Sequence, residues 1–123
     1  MMLVPTYIKS SPIHGVGLYA AEPIAKGTKI WEHMEGLEVV IDPAHIPTYP
    51  ATVQFYLHRY TYPHPKKPGM WVLDGDNGRF FNHSETPNCD FTEPMVGYAL
   101  ADIAKDQELT CNYHEFAPGF EFI

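Results

Sequence analysis

Arg79-Phe80-Phe81-Asn82-His83-Ser84-Glu85-Thr86-Pro87-Asn88 sets polar side chains between a pair of aromatics and a turn-forming Pro-Asn. Phe80 and Phe81 read as the end of a buried strand. Asn82 and His83 follow at once, and burial there demands a partner for each of their polar atoms. Those partners are other backbone groups or a polar ligand. Downstream, Glu108-Leu109-Thr110-Cys111-Asn112-Tyr113 reads as a second strand, ending on a tyrosine that could face the same place. On spacing alone, the two stretches are either one shared site or two unrelated turns.

Outward from these stretches, 123 residues suit one domain with a modest core. An apolar content of 45% argues for a folded globule, and 12 prolines and 9 glycines cut it into short elements. No apolar run reaches the length of a membrane span, and Met1-Met2-Leu3-Val4-Pro5 is not a basic region leading into a long apolar one. Neither a membrane nor a secretory signal is therefore expected. A net charge of -7 disfavours direct binding to nucleic acid and is compatible with a basic peptide partner. Cys89 and Cys111 are the only cysteines, too few for a disulfide framework, and a zinc site would need histidines to complete it. No His-x-x-x-His or Cys-x-x-Cys spacing occurs, so no metal is expected.

Short apolar clusters at Leu3 to Ile8, Leu18 to Ala21, Lys29 to Glu32 and Glu38 to Ile41 read as strands, each bounded by Pro, Gly or Asp. Gly27 supplies a positive φ for the turn at Ala25-Lys26-Gly27-Thr28. Asp42 with Pro43 reads as a cap and first helical position, and Val53, Tyr56, Leu57 and Tyr60 recur at helical spacing, which predicts one short amphipathic helix. Tyr62 to Gly69 holds three prolines and is expected as a surface loop. Strands resume at Met70 to Leu73, Cys89 to Thr92, Tyr98 to Ala101 and Leu109 to Asn112. The fold class is mainly β, with a central insert at about 42–70 and an aromatic tail at 114–123.

Arg-Phe-Phe-Asn-His-Ser-x-x-Pro-Asn, followed by Glu-Leu-Thr-x-x-Tyr, closely resembles the paired signature of SET-domain protein lysine methyltransferases. Gly15-Val16-Gly17-Leu18-Tyr19-Ala20 and Tyr98-Ala99-Leu100-Ala101-Asp102-Ile103 extend the resemblance over nearly the whole chain. It implies a β-clip fold of small sheets with a knot-like crossing of the two C-terminal motifs. It also implies S-adenosylmethionine as cofactor, S-adenosylhomocysteine as product, and a protein substrate with an accessible lysine, such as a histone or another basic tail. The chain is similar to the smallest viral and bacterial members. That implies a cytoplasmic location if bacterial, a nuclear or host-delivered one if viral or an effector, and a homodimer completing the site.

Residue by residue, the resemblance makes Tyr113 the catalytic tyrosine, where the residue alone would equally suit a core tyrosine with a bonded hydroxyl. Asn82 and His83 match cofactor contacts; a polar turn bonded to its own backbone is the other reading. Arg79 is a cofactor contact or a structural cation. His14, Gly15 and Gly17 match the first cofactor segment, where missing Cβ atoms let main chain approach a ligand; a Rossmann reading fails for want of a third glycine and a following helix. Trp31 and His33 fall near the expected aromatic wall. Phe116 is placed at the cofactor, within a C-terminal wall of aromatics that otherwise simply anchors the chain end. Phe91, Cys111 and Tyr98 are placed in the lysine channel. Glu85 stands where zinc-dependent members carry a cysteine, which implies no zinc. An inactive SET-like scaffold that has kept only the fold stays open as the alternative.

Overall fold

Residues 1–120 are described by a computed structural model of mainly β architecture. In chain order the strands are β1 (Thr6–Ser10), β2 (Val16–Ala20), β3 (Lys29–Glu32), β4 (Val39–Ile41), β5 (Thr61–Pro63), β6 (Trp71–Leu73), β7 (Asn82–His83), β8 (Cys89–Asp90), β9 (Val96–Ala99) and β10 (Glu108–Cys111). The α-helices are α1 (Ala51–Tyr60), before β5, and α2 (Tyr113–Phe116), after β10. They form three small sheets, ordered β1-β2-β10-β7, β3-β9-β8 and β4-β6-β5.

The first sheet decides where the site lies. β2 pairs antiparallel with both β1 and β10, and β10 pairs parallel with β7 through Thr110 with Asn82 and Cys111 with His83. The glycine segment and both C-terminal motifs thus share one sheet. β2 and β10 can be central because Leu18, Tyr19, Ala20, Leu109, Thr110 and Cys111 are buried on both strand faces. The Asn88 side chain ties the motifs further: its Nδ2 donates to the Glu108 carbonyl at 2.8 Å, and its Oδ1 accepts from the Thr110 N–H at 2.9 Å. A side-chain amide here does the work of a neighbouring strand.

Three expectations are corrected. Phe80 does not end a strand: Asp76 accepts from the Gly78 N–H and starts a 3-10 helix over Asn77–Phe80, leaving a strand only two residues long. Asp-Asn-Gly turn chemistry outweighs the aromatic pair. The predicted single helix is two pieces. Asp42 caps a 3-10 helix at Pro43–Thr48, and Pro47 and Pro50 withhold backbone donors, so the α-helix begins only at Ala51. Of its periodic residues Leu57 is buried, whereas Val53 and Tyr56 are exposed. Finally, Thr61–Pro63 is strand β5, paired with β6, and only the residues after it form the loop. Pro63 is accommodated because β5 is an edge strand.

The core gathers Leu18, Ile30, Cys89, Ile103, Leu109 and Cys111 beneath a cluster of rings around Phe91. Gly97 makes that cluster possible, because a Cβ there would stand 2.7 Å from the Phe91 ring. Gly97→Ala is expected to displace Phe91 and to lose about 1–3 kcal/mol of stability, read as a lower urea midpoint. An unchanged midpoint would mean that the ring yields freely.

Candidate active site

A cavity of about 250 Å³ opens between α1, α2 and the loop after β8. Its walls are mostly rings. Phe91 meets Trp31, Phe81 and Phe116 edge to face, with centroids 5.6, 5.3 and 5.8 Å away, and Phe116 also meets Tyr113 at 5.9 Å. Edge-to-face pairs of this kind hold each other in place. The result is a mostly apolar cavity, into whose lining the Tyr113 hydroxyl and five charged side chains, Arg59, Asp74, Arg79, Glu93 and Glu115, also enter.

Tyr113 is the first residue of α2, which Asn112 caps by accepting from the His114 N–H at 3.0 Å. Its hydroxyl donates to the Phe81 carbonyl and its backbone N–H donates to His83 Nδ1 at 3.1 Å, so both motifs hold it. Burial raises the phenol pKa above its usual value, and the Arg59 guanidinium beside it pulls the other way. The phenol is therefore neutral at physiological pH. With its proton directed at Phe81, the oxygen faces the cavity as a hydrogen-bond acceptor.

Asn82, 1% exposed, is the hub of the neighbouring polar array. Its Nδ2 donates to the carbonyls of His14 and Val16 at 3.1 and 3.3 Å and to Glu108 Oε2 at 3.0 Å. Its Oδ1 accepts from Arg59 Nη2 at 3.3 Å, and the same nitrogen lies 3.0 Å from His14 Nδ1. Gly15 has a φ of +43°, in the region that glycine tolerates. Gly17 is needed for another reason: a Cβ there would stand 2.4 Å from Glu108 Oε2. The room above Gly17 is filled by the carboxylate that anchors Asn82, not left free for a ligand.

Of the residues singled out from sequence, His14, Gly15, Gly17 and Asn82 converge on the polar array, His83 follows Asn82 in β7 but bonds Tyr113 and Glu85, and Arg79, Phe91, Cys111, Tyr113 and Phe116 line the cavity. Phe116 thus lines the cavity together with Phe91 and Tyr113. Tyr98 does not line the cavity: Gly97 faces Phe91, and alternation along β9 turns Tyr98 the opposite way. Trp31 is in the wall, but His33 is not, and its ring meets His64 edge to face at 5.1 Å. Phe122, expected in the C-terminal wall, lies outside the described residues. Arg59 was not anticipated. Its signal was scarcity: the chain has only two arginines, and both line the cavity.

Two groups of metal-ligating side chains occur among the described residues, His33 with Glu38 and His64, and His83 with Glu85 and His114. In each, one histidine has the wrong tautomer for a metal. His64 Nδ1 accepts from the Lys66 and Lys67 N–H groups, at 3.0 and 3.1 Å, and His83 Nδ1 accepts from Tyr113. The ring proton then sits on Nε2, the nitrogen facing the group; for His83 it is directed at Glu85 Oε1, 3.0 Å away. Metal-bound histidines normally donate through their second nitrogen. These two accept instead.

Comparison with known proteins agrees with this geometry. The SET domain family matches residues 15–114. An Aspergillus fumigatus protein named histone-lysine N-methyltransferase, H3 lysine-4 specific, is 33% identical over 123 residues, covering 89% of this chain; the match spans only 9% of that protein's length. Two solved structures share the fold. The Neurospora SET domain protein DIM-5, a histone lysine methyltransferase, gives a TM-score of 0.59 at 21% identity, over 91% of this chain and 53% of that one. A humanized mutant of the Chaetomium thermophilum Polycomb Repressive Complex 2 gives 0.66 at 21% identity, over 95% and 16%. The chain belongs to the SET-domain family.

Proposed function

We propose that this chain transfers methyl groups from S-adenosylmethionine to the ε-amine of lysine in a protein substrate. The observation that carries the reading is a neutral Tyr113 hydroxyl on a residue anchored through both its hydroxyl and its backbone N–H, lining an aromatic cavity. A cavity lined by rings suits the butyl chain of lysine. Lysine must lose its proton before it can attack, and at neutral pH that costs about 4 kcal/mol from a free pKa near 10.4. Dry walls favour the neutral amine by withholding solvation from the charge. The Tyr113 oxygen can accept an amine N–H, which aims the nitrogen lone pair.

When bound, the cofactor supplies an activated methyl on a sulfonium. The residues that would hold it are His14, Gly15, Asn82 and Arg59, with the main chain of His83. They fit such a ligand, because Arg59 Nε is buried without a hydrogen-bond partner among the described residues and the guanidinium is ready for a carboxylate. Calorimetric titration with S-adenosylmethionine, followed by radiolabel transfer to purified core histones, tests the reading. The similar Aspergillus protein is named for lysine 4 of histone H3, so histone H3 is the first substrate to try. The absence of zinc is part of the proposal, and metal analysis of the purified protein checks it.

The number of methyls added follows from the cavity wall. By the family resemblance, Cys111 and Phe91 match positions from which a phenolic hydroxyl holding a water limits the product; both line the cavity and neither carries a hydroxyl. Burial, chiefly, raises the Cys111 thiol well above its usual pKa, so the thiol is a small neutral wall group. Dimethyl- and trimethyllysine are the expected products in mass spectra of exhaustive reactions. Monomethyl product alone at long times would remove this argument.

A further inference from the structure

Glu115 is the carboxylate of the cavity wall that has a buried oxygen without a partner, and the reaction described above leaves it without a task. It projects from α2 into the cavity wall beside Tyr113 and Phe116. Its Oε1 is buried and has no hydrogen-bond partner among the described residues. No lysine, arginine or histidine of the described residues forms an ion pair with it. Glu115 and Cys111 line the same cavity. A buried carboxylate oxygen without a partner is unfavourable unless a cation completes it, and neither cavity arginine forms an ion pair with this one.

We propose that Glu115 is the acceptor for the substrate's lysine ammonium, selecting a cationic side chain over a neutral one of equal length. The inference rests on the methyltransferase reading for the identity of the ligand as lysine. On entry, the ammonium exchanges water for the carboxylate. During transfer the nitrogen lone pair forms the N–CH3 bond while the S–CH3 electron pair stays on sulfur, so positive charge arrives at the nitrogen beside Glu115. The same carboxylate also holds the proton that lysine must lose before attack. The two influences oppose each other in the rate, so the net effect falls on substrate binding. KM rises when the charge is removed, and kcat changes less.

The test uses the full chain, with Glu115→Gln and Glu115→Asp, and two small probes, n-butylammonium chloride and 1-butanol, titrated at neutral pH and followed by NMR. Butylammonium should bind wild type and weaken about 10- to 100-fold in Glu115→Gln, the range for a lost charged hydrogen bond. Butanol should bind both equally. If Glu115→Gln does not fold, Glu115→Asp answers instead, because its carboxylate is drawn back by one methylene and butylammonium should weaken while butanol does not. Equal butylammonium affinity in a folded variant and wild type, or none in wild type, overturns the proposal. Kinetics on histones separate the two readings. Methyl transfer with an unchanged KM in Glu115→Gln removes Glu115 and leaves the transferase; Glu115-dependent butylammonium binding without any transfer removes the transferase and leaves the ammonium site.

Discussion

Tyr113→Phe should bind S-adenosylmethionine like wild type and transfer methyl at least about 100-fold more slowly. The hydroxyl is needed as an acceptor for the amine, and the loss of one aligned interaction is worth about that factor in rate. Its own proton is committed to the Phe81 carbonyl, so no proton transfer through the phenol is required. The ring would remain in place, because Phe116 and the His83 ring pack against it at 5.9 and 5.2 Å. A modest fall in stability, about 1 kcal/mol, is expected from the unpaired Phe81 carbonyl. Single-turnover transfer to histone H3 together with cofactor calorimetry checks both halves. Full activity in the variant would move the orienting role to another group. Loss of cofactor binding would mean that Tyr113 is a structural pillar of the polar array instead.

The sequence made the mainly β class and the two motifs legible because both depend on local chemistry. Asn82-His83 and Glu108 to Cys111 carry polar groups where a strand would otherwise be apolar, and pairing β7 with β10 satisfies them. What sequence did not disclose was set by distant partners. Gly17 looked like a glycine left open for a ligand, whereas its freedom is occupied by Glu108, 91 residues away in the chain. Tyr98 looked like a channel tyrosine because of its place in a motif, but strand alternation, fixed by Gly97 against Phe91, sends it outward. Arg59 sits in an insert whose helix has no motif, and only its long side chain, reaching from the end of α1, brings it to His14 and Asn82. Residues recruited across the fold by one long side chain leave no periodic signal.

Asn82 tests this cross-chain array with the second large effect. Asn82→Ala removes one hydrogen bond from each of four groups: the carbonyls of His14 and Val16, Glu108 Oε2, which keeps the Ser11 hydroxyl, and Arg59 Nη2, which keeps His14 Nδ1. Each buried polar group left unpaired costs about 1–3 kcal/mol, and water entering the cavity recovers part of it. A net loss of about 2–4 kcal/mol is expected, with cofactor affinity reduced beyond detection, since Arg59 and the His14 main chain lose their common anchor. Asn82→Asp distinguishes the array from a simple volume effect. It keeps the shape but replaces the donor with an acceptor only 3.0 Å from Glu108 Oε2, and a carboxylate facing a carboxylate at that distance is repulsive. The bond from Arg59 becomes charge-assisted in return, yet the carboxylate then faces three acceptors, the two carbonyls and Glu108, with no proton to give them. Asp should therefore be no more stable than Ala, as measured by urea denaturation. If Asn82→Asp instead keeps wild-type stability and binds cofactor, the amide donor is dispensable, and the glycine segment must be held to β7 by its backbone alone.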